Sequence, residues 1–184
     1  GVGESLKRFV ERGGQLLATY LTGYVDENQL NFLGGFPGDG LTELFGVVSE
    51  ELDSLYPTDH NQVRFTDGTV GEVREYAEML RVNGAEVLGT YTEDYYGGMP
   101  AVTSKTYGKG RACYVAARLD DAAMQRLLEE CLKAAGVTTY ELPCGVERHT
   151  READGKQYVF YLNCTDEIQQ VKDVKGTNLL NGEQ

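Results

Sequence analysis

The segment from residue 4 to residue 20 restricts the fold more than any other part of this sequence. Apolar residues recur there at helical spacing: Leu6, Phe9 and Val10. Gly13-Gly14 then ends the predicted helix. Residues 15–20 follow at once as an apolar run, typical of a strand buried on both faces of a parallel sheet. A helix joined directly to a buried strand is half of a βαβ unit, so the chain predicts an α/β fold.

The strand that should precede this helix is absent from the sequence. The chain opens with Gly1-Val2-Gly3-Glu4 and runs directly into the helical pattern. A βαβ unit needs a strand before its helix as well as one after it. We therefore expect residues 1–140 to be an N-terminally truncated domain of a longer protein.

The middle of the chain adds further strands and one more long helix. A Gly108-Lys109-Gly110 turn between strands at 100–107 and 111–117 predicts a hairpin. Asp120 or Asp121 caps a helix that ends at Gly136. A clear pattern predicts a strand at 86–91. Weaker patterns predict one helical turn at 41–45, extended structure within 50–65, and either helix or strand at 73–81. These elements suit helices packed on a mainly parallel sheet.

The pattern changes after Pro143, where only strands are predicted. Residues 146–152 and 157–163 form an antiparallel pair around an Asp154-Gly155 turn, and residues 166–174 are expected to add a third strand. About 40 residues are too few to close a sandwich of their own. We therefore expect a partial antiparallel β-domain at 141–184, after the α/β domain at 1–140.

Catalytic chemistry is not indicated by any residue pattern in the chain. The adjacent carboxylates Glu93-Asp94 and Asp26-Glu27 follow predicted strands, but neighbouring residues point in different directions, so a solvated or interface role is favoured. The turn after the first strand carries Thr22-Gly23 and no cysteine, which argues against amidotransferase chemistry. Neither His60 nor His149 lies in a His-x-Glu pattern. We assign no catalytic residue.

Charge and cysteine content exclude other classes of function. The net charge of −12 repels phosphate backbones and anionic lipid, so neither nucleic acid nor a membrane is an expected partner. The four cysteines form no Cys-x-x-Cys pair, so neither a metal site nor a redox motif is expected, and a reducing cytoplasm suits them best. We expect no cofactor.

Several segments together resemble the middle domain of family 42 β-galactosidases. Individually they are modest, but they occur in the family's order along nearly the whole chain. They are Phe9-Val10-Glu11-Arg12-Gly13-Gly14, Leu17-Ala18-Thr19-Tyr20, Gly35-Phe36-Pro37-Gly38, Glu43-Leu44-Phe45-Gly46-Val47, residues 84–91, Tyr107-Gly108-Lys109-Gly110-Arg111, and 145–147, 160–163 and 179–182 near the end.

The resemblance implies a three-layer, amidotransferase-like (flavodoxin-like) domain that assembles a homotrimer, followed by part of a small β-domain. In that family the catalytic glutamates lie on a (β/α)8 barrel of the same chain, which hydrolyses terminal β-galactosides with retention. No residue here matches those motifs. Long loops are often interfacial, so we expect subunit contacts from the loops at 21–40 and 91–96. The candidate contact residues are Asp26, Asn28, Phe36, Pro37, Tyr95 and Tyr96.

A second hypothesis stays open. The chain could be an independent small enzyme of amidotransferase-like fold or a carbohydrate-binding module. Its best support is the segment Tyr91–Tyr96, where three tyrosines surround Glu93-Asp94, because aromatic rings can stack on sugars, although an interface or core role is the favoured interpretation.

Overall fold

A computed structural model describes residues 1–172 and 174–182. The chain divides into two compact units, Gly1–Thr138 and a smaller unit that starts at Thr139. Each unit is built separately from its own elements.

The first unit contains three helices and eight strands. The helices are α1 Val2–Glu11, α2 Leu41–Phe45 and α3 Asp121–Ala134. The strands are β1 Gln15–Thr19, β2 Val47–Ser54, β3 Asn61–Phe65, β4 Val70–Val82, β5 Glu86–Tyr91, β6 Pro100–Tyr107, β7 Gly110–Val115 and β8 Ala117–Leu119. The predicted helices, hairpin and strand at 86–91 are confirmed, and the undecided segment at 73–81 lies within β4.

The ends of the helices are set by the residues that the sequence indicated. Asp120 is the N-cap of α3, because its carboxylate accepts a hydrogen bond from the backbone N–H of Ala123 at 2.9 Å. Gly13 follows α1 with φ 114°, a backbone conformation that favours glycine. Among the described residues, no helix is long and apolar enough to span a membrane.

The strands of the first unit form one mixed sheet in the order β1-β7-β6-β5-β3-β4-β2, with β8 paired to β4. Parallel pairing is confined to β1 and β7 within the described residues, and the other pairings are antiparallel. The expectation of a mainly parallel sheet is corrected accordingly. Short connections such as the β6–β7 turn cannot join parallel strands, which need a long crossover. β1 is also only half-buried along its length.

Helices cover both faces of this sheet, so the expected three-layer arrangement is confirmed. Successive residues of β7 point to opposite faces. Ala112 and Tyr114 pack in one apolar cluster with α1 and α2, whereas Cys113 and Val115 pack in a second cluster with α3. The core therefore has two halves, one on each side of the sheet.

The sheet bends back on itself at Ala116, between β7 and β8. The N–H of Ala116 donates to the carbonyl of Ala101 in β6, and its own carbonyl accepts from the N–H of Glu78 in β4, both at 2.8 Å. One extended segment thus changes partners from β6 to β4. As a result, the middle of β4 lies close to the C-terminal end of β5.

The second unit contains one antiparallel hairpin, β9 Val146–Ala153 with β10 Lys156–Asn163. Asp154 and Gly155 both have positive φ, as the predicted two-residue turn requires. The predicted third strand is wrong for 166–172 and 174, and residue 173 lies outside the described residues. The Asn163 carboxamide oxygen accepts from the N–H and the hydroxyl of Thr165, a local turn that ends the hairpin.

Candidate functional site

The candidate site consists of two surface loops of the first unit. The long loop, residues 20–40, connects β1 to α2, and the β5–β6 loop comprises residues 92–99. Both contain residues that the sequence predicted as subunit contacts. Each can be described from its buried base to its exposed end.

The base of the long loop is fixed to a buried carboxylate. Leu21, two residues after the end of β1, has φ 62°, and its backbone N–H donates to Glu78 Oε1 at 2.9 Å. The hydroxyl of Tyr114 donates to the other oxygen, Oε2, at 2.8 Å. The Glu78 side chain is completely inaccessible to solvent, and this burial raises the pKa of its carboxyl. The Glu78 carboxyl group is therefore fixed by two neutral donors, and through Leu21 it fixes the turn after β1.

The part of the long loop that contains Phe36 runs along the outer edge of β2. The backbone carbonyl of Phe36 accepts from the N–H of Ser49 at 2.8 Å, and the ring of Phe36 stacks on that of Tyr24 with centroids 4.1 Å apart. Gly38 closes the loop by donating its N–H to the carbonyl of Gly23 at 2.7 Å. The loop is thus a folded element with its own hydrogen bonds.

Asp26 shapes the tip of the long loop, which is the exposed part that contains Val25, Leu30 and Leu33. One carboxylate oxygen accepts from the N–H groups of Asn28 and Leu30 at 2.8 and 2.9 Å, and the Asp26 N–H donates to the carbonyl of Leu30. This is a side-chain-stabilised turn. Asp26 therefore acts within the loop, while Asn28 is exposed.

The tip exposes apolar side chains that the sequence analysis did not single out. Leu33 is 100% exposed, Leu30 64% and Val25 49%. Apolar side chains grouped on an exposed loop mark a contact surface. The signal available in the sequence was the presence of Leu30, Phe32 and Leu33 inside a segment otherwise rich in Gly and Asn.

Two of the predicted contact residues lie on the long loop close to its base. Pro37 is buried within the unit and Phe36 is half-buried, so neither offers a free side chain in the way that Leu33 does. The Phe36–Pro37 peptide bond is cis. Phe36 and Pro37 therefore belong to the base of the loop and not to its exposed tip.

Three tyrosines connect the core to the β5–β6 loop. The buried Tyr91 donates its hydroxyl to the backbone carbonyl of Glu78 at 3.0 Å. Its ring meets Tyr96 edge-on at 4.9 Å, and Tyr96 meets Tyr95 edge-on at 5.0 Å. Tyr96 is 1% exposed and Tyr95 68%. Of these two predicted contact residues, only Tyr95 therefore presents its ring to solvent.

The hydroxyls of the two outer tyrosines contact carboxylates of β2. Tyr96 donates to Asp53 at 2.9 Å, and Tyr95 donates to Glu51 at 3.2 Å. Burial raises the pKa of Tyr96 to about 12. Both hydroxyls therefore remain protonated donors, and the rings are held in place at each end.

Glu93 and Asp94 do not form the catalytic carboxyl pair that a glycosidase would need. The backbone of Glu93 exchanges two hydrogen bonds with the side chain of Asn61. Asp94 has φ 66° and accepts from the N–H of Tyr95. Both residues shape the turn. Within residues 1–172 and 174–182, no cluster of His, Cys, Asp and Glu could hold a metal ion.

The remaining candidate groups are also dispersed. The turn after β1 comprises Leu21, Thr22 and Gly23 and contains no cysteine nucleophile. His60 and His149 belong to different units. A cavity between β1, β7 and α3, lined by Cys113 and Cys131, measures about 30 Å³, which suits a water molecule and not a saccharide. The four cysteines are free thiols.

Models of protein families match almost the whole chain. Residues 1–138 match the β-galactosidase trimerisation domain, and residues 145–184 match the β-galactosidase C-terminal domain. The two matched segments correspond to the two compact units of the structure.

Curated proteins and solved structures give the same relationship. β-Galactosidase BglY of Alicyclobacillus acidocaldarius is 47% identical over 93% of this chain and 26% of its own length. β-Galactosidase Pbg of Clostridium perfringens is 39% identical over 100% of this chain and 28% of its own length. A solved GH42 β-galactosidase from G. stearothermophilus superposes with a TM-score of 0.85 at 36% identity, over 98% of this chain and 27% of that chain. This chain spans about a quarter of the length of these relatives.

Proposed function

Because the chain belongs to the β-galactosidase trimerisation domain family of the GH42 enzymes, we propose that residues 1–140 are the non-catalytic assembly module of a larger β-galactosidase. Residues 141–184 are then part of its C-terminal β-domain. The module holds three identical chains together as a homotrimer. Its contact surface includes the tip of the long loop and the exposed Tyr95.

The complete protein then hydrolyses terminal β-D-galactosides with retention in the cytoplasm. The reacting carboxyl groups belong to a (β/α)8 barrel elsewhere in the same chain. The arrangement of acidic residues supports this division of labour, because the carboxylates of Asp26 and Asp94 accept hydrogen bonds within their own turns. A retaining glycosidase needs two carboxyls about 5 Å apart across a sugar ring.

The exposed apolar tip on a rigid base is the observation that carries the proposal. Leu33, Leu30 and Val25 would be costly to leave in water on a loop that is otherwise well ordered by hydrogen bonds. Covering them with a neighbouring subunit removes that cost. The base already fixes the geometry of the loop. Little conformational entropy is therefore lost when the interface forms.

The proposal is tested in the full-length protein that carries this chain. Leu30→Ser with Leu33→Ser should convert trimers to smaller species at micromolar concentration, as measured by sedimentation velocity. Val137→Ser, which alters a similarly exposed apolar side chain after α3, is the matched control and should leave the trimer intact. A double variant that still sediments as a trimer would contradict the role of the tip.

The rival hypothesis of an independent enzyme or sugar-binding module makes a different prediction. The exposed ring of Tyr95 beside Glu51 is the feature that favours it. Galactose and lactose are titrated against the protein by calorimetry, and a chromogenic β-galactoside is assayed with a Glu93→Gln variant. Our proposal requires unchanged turnover in that variant of the full-length enzyme.

A further inference from the structure

A trimer with three-fold symmetry imposes a condition on its interface. Closed rings of three use a head-to-tail contact, in which two different surfaces of each copy meet. The following inference rests on the proposed function and asks which two surfaces those are. They must be complementary, and they must lie far enough apart that one copy cannot join them to each other.

The first surface is the tyrosine–carboxylate patch, formed by Tyr95, Glu51, Asp53, Glu93 and Asp94. Tyr95 is 68% exposed but held by the hydroxyl contact with Glu51 and the edge-on contact with Tyr96. Among the described residues, the ion pairs include none of these four carboxylates. The patch thus combines a preordered aromatic ring with uncompensated negative charge.

A guanidinium group fits this patch better than any other side chain. Arginine stacks on an aromatic face and pairs at the same time with carboxylates through its planar set of donors. Tyrosine and arginine are also the residues most often found at the energetic centre of protein interfaces. The expected partner is therefore an exposed, arginine-bearing surface.

The chain carries such a surface at the end of α1. Arg8 and Arg12 are exposed one helical turn apart, and Lys109 is exposed in the β6–β7 turn. The Lys109 N–H donates to the carbonyl of Glu11 at 3.0 Å, which brings this turn against the helix end. We name these three cations the basic patch. Within the described part of the chain, the ion pairs include none of them.

Strand β6 separates the two patches. It begins directly after the β5–β6 loop and ends at the β6–β7 turn. Its eight residues span about 26 Å at about 3.3 Å per residue. Side chains at opposite ends of that strand cannot meet within one copy, whereas those of two copies can.

The overall charge strengthens the argument. This chain contributes a net charge of −12 to each copy, so these domains repel one another unless oppositely charged areas face each other. Charge complementarity at an interface also selects the relative orientation of the partners. The basic patch is a local exception on an acidic molecule, and the tyrosine–carboxylate patch is the surface that it complements.

We propose that the tyrosine–carboxylate patch of one copy docks on the basic patch of the next, with an arginine of α1 against the ring of Tyr95, and that this head-to-tail contact closes the trimer. Each copy then uses both patches once. The apolar tip of the long loop adds buried surface, while the charged contact sets direction and register.

Charge reversal in the full-length protein tests this contact. Arg8→Glu with Arg12→Glu reverses the basic patch, and Glu51→Lys with Glu93→Lys reverses the other. Each pair should raise the dissociation constant of the trimer about tenfold or more, because like charges then face each other. All four changes in one chain should restore assembly, since the patches are again complementary. Mass photometry across nanomolar to micromolar concentrations gives the populations.

The controls separate this inference from general electrostatics and from the proposed function. Arg64→Glu with Lys133→Glu alters the net charge as much as the basic reversal does, at exposed sites outside both patches, and should leave assembly unchanged. The neutral Arg12→Gln with Lys109→Gln should weaken the trimer even if a reversal variant misfolds. A trimer indifferent to these changes, or one that the fourfold variant fails to restore, overturns the docking contact. A wild-type protein that is monomeric overturns the proposed function instead.

Discussion

The base and the tip of the long loop use the same stretch of chain in opposite ways. At the base, Leu21 and Pro37 are tied into the core, through the Glu78 carboxylate and through burial respectively. At the tip, Leu33 contacts solvent over its whole side chain. Stability and partner recognition therefore depend on separate parts of the same loop. Changes at the base should then alter stability, and changes at the tip should alter assembly.

The largest stability effect is expected from Glu78→Ala. The substitution removes the acceptor for the Leu21 N–H and the Tyr114 hydroxyl and leaves a void in a closed site. Buried donors without partners, together with a cavity, cost about 3 kcal/mol or more in unfolding free energy. Urea denaturation followed by circular dichroism measures this loss. A loss below about 1 kcal/mol would show that the base is not fixed by this carboxylate.

Gly38→Ala should have the next largest effect at the base. A Cβ atom there would clash with the ring of Phe32. Phe32 would have to move, at a cost of about 1–3 kcal/mol. Gly34→Ala is the comparison at the tip, where a Cβ would meet no atom within 4 Å, although its φ of 97° carries its own backbone cost. Melting temperatures of the two variants rank the two sites.

The pH dependence of stability should sharpen the contrast. Burial raises the pKa of Glu78 above its usual 4.5, so the folded protein binds this proton more tightly than the unfolded chain. The resulting stability is complete below the unfolded-state pKa and is lost as pH rises through the folded-state pKa. Relative to Glu78→Gln, the wild-type unfolding free energy should therefore fall from about pH 4.5 upward. A pH-independent difference between the two would contradict the buried carboxylate.

Asp26→Ala tests the part of the loop between the base and the tip. It removes one carboxylate oxygen that accepts two backbone N–H groups, in a turn exposed to water. Water replaces those bonds, so the loss of unfolding free energy should be about 1 kcal/mol or less. Because the turn presents Leu30, assembly should weaken more than stability does. Sedimentation equilibrium and urea denaturation of the same samples give both quantities.

The smallest stability effect is expected from Leu33→Ser. An exposed side chain contributes little to folding, so the unfolding free energy should change by less than about 0.5 kcal/mol. Assembly should weaken clearly, because the apolar contact is lost. Equal loss of stability and assembly would remove the distinction between base and tip.

Local signals predicted much of the fold. The glycine pair after α1, the turn between β6 and β7 and the N-cap Asp120 specify their elements over a few residues, and each was confirmed. Strand direction was less accessible, because it depends on which distant strands pair. A parallel sheet was expected from the apolar β1, yet only its pairing with β7 is parallel among the described residues.

Side-chain burial at the site was the part that sequence reasoning missed. Tyr95 and Tyr96 are adjacent, and only the three-dimensional path of the β5–β6 loop decides that one is exposed and the other buried. Glu78 did leave a trace, since it is a single charge inside the apolar run Tyr76-Ala77-Glu78-Met79-Leu80. A charged residue in such a strand indicates a buried polar contact, but its partner Leu21 is 57 positions away.

Glu78 also has a consequence for how this domain can change over evolutionary time. Its carboxylate secures the loop that begins at Leu21, and its backbone carbonyl receives the hydroxyl of Tyr91, the innermost ring of the column that ends at Tyr95. Glu78 therefore contacts the base of two separate exposed surfaces. A substitution at this position removes the carboxylate but keeps the backbone carbonyl, so descendants that change it must rebuild the base of the long loop and can keep the tyrosine column as it is.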